Sequence, residues 1–231
     1  MGEKEKYVLD MFSSIAHRYD SLNTVLSLNQ DKYWRRFAVE RSGLSRGGSA
    51  LDVATGTGKL AMELSKAVGP EGEVVGLDFC REMLDIAEKK CRGLGIELEK
   101  GNAQKLPYED ETFDIAIIGF GLRNVDSIDA TLAEMARVVK MGGKVISLEF
   151  SQPDNSFLRR IYYAYFFRII PLIGGAISNN KDAYSYLPDS VRRFPGKKEL
   201  AKIMKKSGLE NIEIHSLTWG IVAVHIGVKS A

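Results

Sequence analysis

Apolar residues recur along this chain with two different periods, and the switches between them mark its elements. From Tyr7 to Ser42 the spacing is helical, with Val8, Met11, Phe12, Ile15, Tyr19 and Leu22 recurring on one face. Short apolar runs then alternate with helical stretches. The runs are Ala50–Val53, Val74–Leu77, Phe113–Ile118 and Lys144–Phe150, with Glu97–Lys100 a short edge-like strand, and the helices are expected at Lys59–Val68, Glu82–Leu94 and Ser127–Val139. Phe113–Ile118 is nearly continuous in apolar character, as a strand buried on both faces of a parallel sheet must be. Lys140-Met141-Gly142-Gly143 offers positive-φ positions to end the helix before it. The first 150 residues therefore read as five β–α repeats, a doubly wound parallel sheet.

Beyond Phe150 the pattern changes. Phe157–Ile177 reads as an aromatic-rich helical insertion, and Pro195–Ser207 as a helix ending at Gly208. Asn211–Leu217 and Ile221–Lys229 read as strands joined by Thr218-Trp219-Gly220 in an antiparallel hairpin. The expected fold is α/β and Rossmann-like, with a mostly parallel seven-stranded sheet and a C-terminal antiparallel hairpin. One domain is expected over 1–231: N-terminal helices at 1–45, a nucleotide-binding core at 46–152, a substrate or lid insertion at 153–195, and the C-terminal helix and hairpin at 196–231.

The stretch with the clearest chemistry is Leu51-Asp52-Val53-Ala54-Thr55-Gly56-Thr57-Gly58-Lys59-Leu60. A strand ends in an acid, passes a tight Gly-x-Gly turn and enters a helix; the next strand ends at Asp78. Glycines let the backbone approach a ligand at the strand's carboxyl end, and the second acid is placed to accept hydrogen bonds from ribose hydroxyls. Gly56 to Ala61 also fits a dinucleotide fingerprint, so the turn alone does not choose the nucleotide. Asp52 shifts the choice. A carboxylate beside the turn would repel a pyrophosphate, whereas S-adenosylmethionine has no phosphate and carries an ammonium and a sulfonium. Asp52 would act directly, through water, or by holding the turn; a helix-capping Asp would give the same pattern. The terminal hairpin points the same way, because an NAD-binding half would continue with a sixth parallel strand.

Ligands of open parallel sheets bind at the carboxyl ends of the strands. That rule gathers Asp52, Ala54, Gly56, Thr57 and Gly58 with Asp78, Phe79, Asn102, Ala103 and Gly119-Phe120-Gly121 as one rim. Phe79 suits an adenine face and Asn102 an adenine edge, although a turn residue after a strand is often Asn.

Composition narrows the setting. Lys and Arg total 32 against 30 Asp and Glu, a net charge of +2, which gives no reason to expect nucleic-acid binding. Cys80 and Cys91 fit no metal motif, and His17, His215 and His225 are dispersed, so no metal is expected. The charged start is unlike a signal peptide and no apolar run is long enough to span a bilayer, so a cytoplasmic protein is expected, peripheral at most to the inner membrane face.

Gly119-Phe120-Gly121-Leu122-Arg123-Asn124 completes a resemblance that runs from Phe12 to Lys229. The chain resembles the ubiquinone/menaquinone biosynthesis C-methyltransferase family, class I S-adenosylmethionine-dependent enzymes. The resemblance rests also on Tyr19-Asp20-x-Leu22-Asn23-x-x-Leu26-Ser27 with Trp34, on Arg137 to Gly143 with Glu149-Phe150-Ser151, on Tyr184-x-Tyr186-Leu187-x-x-Ser190-Val191 with Phe194-Pro195, and on Gly220 to His225. Leu22, Asp31, Met141 and Gly119 depart from the usual Met, His, Pro and Ser of that family. The resemblance implies donor binding at Thr57, Asp78 and Asn102-Ala103, and methyl transfer to a ring carbon of a prenylated quinol, demethylmenaquinol or the ubiquinol precursor. A small soluble phenolic or sterol-like acceptor is the alternative, and an NAD-dependent oxidoreductase a more distant one.

A hydroquinone carbon becomes nucleophilic when a neighbouring phenol loses its proton, which calls for a base or a cation. Arg123 is the first candidate to hold that phenolate, with Asn124 to orient it, and Tyr19, Tyr184 and His225 are candidates for proton handling. Their bland readings are a salt bridge for Arg123, hydrogen-bonded core for the tyrosines and a satisfied strand residue for His225. The segment Phe157–Gly175, aromatic and interrupted by arginines, suits a membrane surface, a prenyl-chain channel, a homodimer face or a helix packed on the sheet.

Overall fold

The apolar runs form one sheet because each needs cover on both faces. The structure is a computed structural model that describes residues 2–165 and 181–230. In chain order it contains α1 (Glu3–Leu26), α2 (Gln30–Ser42), β1 (Ser49–Val53), α3 (Lys59–Val68), β2 (Glu73–Asp78), α4 (Arg81–Cys91), β3 (Ile96–Lys100), β4 (Phe113–Gly119), α5 (Ile128–Val138), β5 (Val139–Phe150), α6 (Ser156–Ala164), α7 (Lys181–Arg193), α8 (Lys197–Lys206), β6 (Leu209–Leu217) and β7 (Val222–Lys229). The sheet order is β3-β2-β1-β4-β5-β7-β6. Strands β1 to β5 are parallel, and β7 runs antiparallel to both β5 and β6. The expected fold class stands, and the antiparallel β7 in place of a sixth parallel strand removes the dinucleotide-type ending.

The central strand β1 is buried at every position, whereas edge strand β3 is half exposed. Two apolar layers sandwich the sheet. One gathers Leu60, Leu64, Ile117 and Trp34 beneath α2 and α3; the other gathers Leu51, Ile118, Met135 and Leu200 beneath α5 and α8. Among the described residues no helix is long and apolar enough to cross a membrane.

Two expectations need correction. No helix joins β3 to β4: residues 101–112 carry Asn, Pro and acids and cross as a turn-rich loop, so the five strands do not give five β–α repeats. Lys140–Gly143 does not end α5; β5 begins at Val139, and these residues form a bulge because Phe113 pairs with Val139 while Ile115 pairs with Lys144. The Phe157–Ile177 insertion is described only as far as α6 and Tyr165; its remainder lies outside the described residues.

The order of strands reverses between β1 and β4, which opens a crevice at their carboxyl ends. At that crevice Ala54 (φ 55°) and Phe120 (φ 59°) both lie in the left-handed region, an uncommon conformation for non-glycine residues that clusters at functional sites.

Candidate active site

A pocket occupies the crevice. From the sheet side it is lined by Ala54, Gly56, Asp78, Phe79 and Asn102-Ala103, and by Gly119-Phe120-Gly121 across from them. From above, α1 closes it with Glu5, Phe12 and Tyr19. Asp78, buried at the end of β2, accepts hydrogen bonds from the amides of Gly56 (2.7 Å) and Cys80 (2.9 Å). One carboxylate therefore fixes the glycine turn and the start of α4 while facing the pocket. Burial pushes its carboxyl up, against those amide bonds.

Seven of the ten residues expected to hold the donor line this pocket: Ala54, Gly56, Asp78, Phe79, Asn102, Ala103 and Gly119. Asp52, Thr57 and Gly58 do not. Asp52 sits beneath the turn, buried, and accepts from Thr55 Oγ1 at 2.6 Å, so it holds the turn. Thr57 turns its hydroxyl away to Asp20 of α1, 2.8 Å off. Gly58 has φ 81°, and a Cβ there would stand 2.7 Å from Cys91 Sγ; it is a glycine so that α3 can start against α4. Asn102 lines the pocket with its side chain already engaged, donating to Glu5 and accepting from the Gln104 amide. Glu5, Phe12, Gln104 and Asp126 line it too and were not singled out. Gln104 and Asp126 sit in loops without periodicity, and Phe12 shares the helical spacing of core residues.

Burial pushes the Asp52 carboxyl up to about 7, despite hydrogen bonds from Thr55 and the Ala61 amide. The folded chain then keeps a proton that the unfolded chain has lost, so this group's contribution to stability falls as pH rises from about 4 to about 7 and is flat above. Asp52→Asn is expected to remove that slope, which amounts to on the order of 4 kcal/mol at most. Thermal melts of the ligand-free protein at about pH 5 and about pH 8 check it. An unchanged wild-type difference in the variant would show that Asp52 is not the group responsible.

The pocket meets a larger cavity of about 860 Å³ at Phe12, Tyr19 and Phe120. Its wall is mostly apolar, from Met11 and Ile15 of α1 to Leu158, Ile161 and Tyr162 of α6 and Leu187 of α7. Trp34, Phe120 and Phe150 form its aromatic floor, with ring centroids 4.9–6.2 Å apart.

Arg123 faces this cavity. Its Nη1 donates to Glu149 Oε1 at 2.8 Å and to the Phe120 carbonyl, both side chains are nearly buried, and its Nε has no partner. The salt-bridge reading of Arg123 is thus realised, and it places the cation at the cavity rather than away from it. Burial pushes the Glu149 carboxyl up, with Arg123 opposing. Asn124 lines the donor pocket and accepts from the Tyr186 hydroxyl at 3.2 Å. Tyr19 borders both spaces, edge-on to Phe12. Tyr184 lies outside the described side chains. His225 is not brought to the site: β7 enters between β5 and β6, and the ring Nε2 donates to the Lys197 carbonyl at 2.9 Å beneath α8, where burial lowers its pKa.

A glycine turn over a buried acid, a ribose-ready carboxylate on β2 and a 3-2-1-4-5-7-6 sheet define a class I-type methyltransferase core. Two solved structures share this fold: a SAM-dependent methyltransferase from Thermotoga maritima (TM-score 0.68, 23% identity, covering 96% of this chain and 100% of that one) and one from Aquifex aeolicus (TM-score 0.66, 18%, 91% and 97%). A match to the ubiE/COQ5 methyltransferase family spans residues 1–229, and the chain belongs to that family. It is 46% identical over 229 residues to the demethylmenaquinone methyltransferase of Bacillus cytotoxicus (98% of this chain, 97% of that protein) and 44% identical over 233 residues to that of Oceanobacillus iheyensis (100% and 98%). It is a methyltransferase, and S-adenosylmethionine is its methyl donor. The pocket's chemistry fits such a donor: its described lining holds Glu5, Asp78 and Asp126 and no Lys or Arg, which suits a sulfonium and disfavours a pyrophosphate.

Proposed function

We propose that this chain methylates a ring carbon of demethylmenaquinol. The observation that carries the reading is the junction at Phe12, Tyr19 and Phe120, where an acid-lined nucleotide pocket meets an apolar cavity faced by a buried arginine. The high identity to proteins named demethylmenaquinone methyltransferases supports the same acceptor.

S-adenosylmethionine supplies the methyl and its own leaving group, so the protein's task is alignment and charge. Holding the two reactants about 3 Å apart in line is worth about 7–11 kcal/mol. Phe12, Tyr19 and Phe120 flank that meeting point and exclude water. A ring hydroxyl placed beside Arg123 loses its proton more easily, because the guanidinium stabilises the phenolate that makes the adjacent ring carbon nucleophilic. Tyr186 holds Asn124, which keeps the Arg123 turn in place beside the pocket. Once the methyl is attached, the ring carbon releases its hydrogen as a proton to restore the aromatic ring, and Tyr19, which borders both spaces, is the candidate to relay it. His225 has no part in this scheme.

The cavity mouth supports a peripheral place at a membrane. Leu28 and Trp219 are 79% and 77% exposed and, with Tyr33 and Ile161, border the cavity. Such a rim lets a prenyl tail pass from lipid into the cavity, and cosedimentation with phospholipid vesicles checks it.

Isothermal titration is expected to show saturable binding of S-adenosylmethionine and S-adenosylhomocysteine, and none of NAD. Binding of NAD in their place would overturn the assignment of the pocket.

A further inference from the structure

The cavity is faced by a second arginine that the proposed chemistry has not used. Arg35, on α2, is buried, 8% exposed, and lines the large cavity. Its Nη1 donates to the carboxylate of Asp31 at 2.8 Å and to the Asp31 carbonyl at 3.0 Å. Its Nε and Nη2 donate to nothing among the described residues, yet neither is sealed from the cavity. Guanidinium donors that reach a cavity without a protein partner are open to water or to a ligand that replaces it.

The arrangement mirrors that of Arg123. Each arginine is anchored by a buried carboxylate, Glu149 for Arg123 and Asp31 for Arg35. Each touches Phe120 at the junction: Arg123 donates to its carbonyl, and the Arg35 guanidinium lies 5.3 Å from its ring centroid. Asp31 is itself held by Lys59 at 3.3 Å and by the Ser27 hydroxyl at 3.2 Å. Burial pushes the Asp31 carboxyl up, but Arg35 and Lys59 outweigh it and hold the group below the ordinary range, so it stays an anion that fixes Arg35. A cavity lined by two anchored cations, both in contact with Phe120, suits a flat acceptor with two oxygens.

We propose that Arg35 binds the second ring oxygen of the quinol, the one remote from the carbon that is methylated, through its free Nε and Nη2. This rests on the quinol reading and deepens it: Arg35, set by Asp31, selects a 1,4-dihydroxy ring over a mono-hydroxy one. The carboxylate of Asp31 carries no proton in this scheme.

The experiment compares two acceptors with the whole enzyme. One is a short-chain prenylated 1,4-naphthohydroquinone lacking the ring methyl; the other is the same molecule with the remote hydroxyl replaced by hydrogen. Arg35→Met leaves Asp31 paired with Lys59, so no buried charge is stranded. It is expected to lower kcat/KM for the dihydroxy acceptor about 10- to 100-fold, the worth of a hydrogen bond to a charged group, and to leave the mono-hydroxy acceptor and S-adenosylmethionine affinity within about twofold. Arg35→Lys keeps the cation against Asp31 but loses the fork, and serves as the second variant with the same expectation. Equal loss on both acceptors in these variants overturns the role of Arg35 alone, since a structural defect does not tell the two rings apart. Failure of the wild type to methylate the dihydroxy ring overturns the quinol reading and this inference with it.

Discussion

Replacing Asp78 with Ala is expected to weaken S-adenosylmethionine binding by about 100-fold or more. The carboxylate faces the pocket at the end of β2, where two ribose hydroxyls would each gain a charge-assisted hydrogen bond worth about 1.5–3 kcal/mol. The same carboxylate accepts from the Gly56 and Cys80 amides. Alanine leaves both amides without their acceptor, so the glycine turn loosens as the ligand contact is lost. Asp78→Asn keeps one acceptor oxygen and is expected to fall between the two. Titration calorimetry reads the affinities. Wild-type affinity in Asp78→Ala would show that the donor does not lie along β2.

The second large effect concerns Arg123. Arg123→Ala is expected to destabilise the fold by about 3–5 kcal/mol, because it strands Glu149 as a buried, uncompensated acid. For a chain of this size that lowers Tm by on the order of 10 °C. Turnover falls as well, but that loss alone would not separate folding from chemistry. The double variant Arg123→Met/Glu149→Gln does. It removes both buried charges and keeps a side-chain oxygen to accept from the amides of positions 123 and 150, so most of the loss in Tm is expected to be recovered. Turnover is expected to stay about 100- to 1,000-fold down, the usual effect of losing one preorganised donor to a developing oxyanion. Recovery of both would reduce Arg123 to a structural residue.

How much of this was legible in the chain depends on whether a feature is local. Helix α3 was placed at Lys59–Val68 and is found there, because its amphipathic spacing and the preceding Gly58 are both local signals. Strands β1, β2, β4 and β5 are legible as apolar runs for the same reason, and β3 as a short edge-like strand. The bulge at 140–143 was not legible, since it exists only through the pairing of β4 with β5. Asp52 near the end of β1 reads as acting directly, through water or by holding the turn, and only the bonds from Thr55 and the Ala61 amide favour the last. His225 sits in a family signature, yet the insertion of β7 between β5 and β6 turns it toward Lys197 and away from either cavity. The most informative omission is Arg35. Its spacing from Asp31 reads as an ordinary helix ion pair, and only the cavity beside α2 gives its unused donors a purpose.

The central claim is methylation of a quinol ring carbon, and the product tests it most directly. The enzyme is incubated with S-adenosylmethionine carrying a labelled methyl and with a short-chain demethylmenaquinone, both reduced and oxidised, and the product is read by mass spectrometry and NMR. The account predicts one labelled methyl on a ring carbon, formed from the reduced acceptor only. A label on oxygen, or equal reaction of the oxidised quinone, would contradict it.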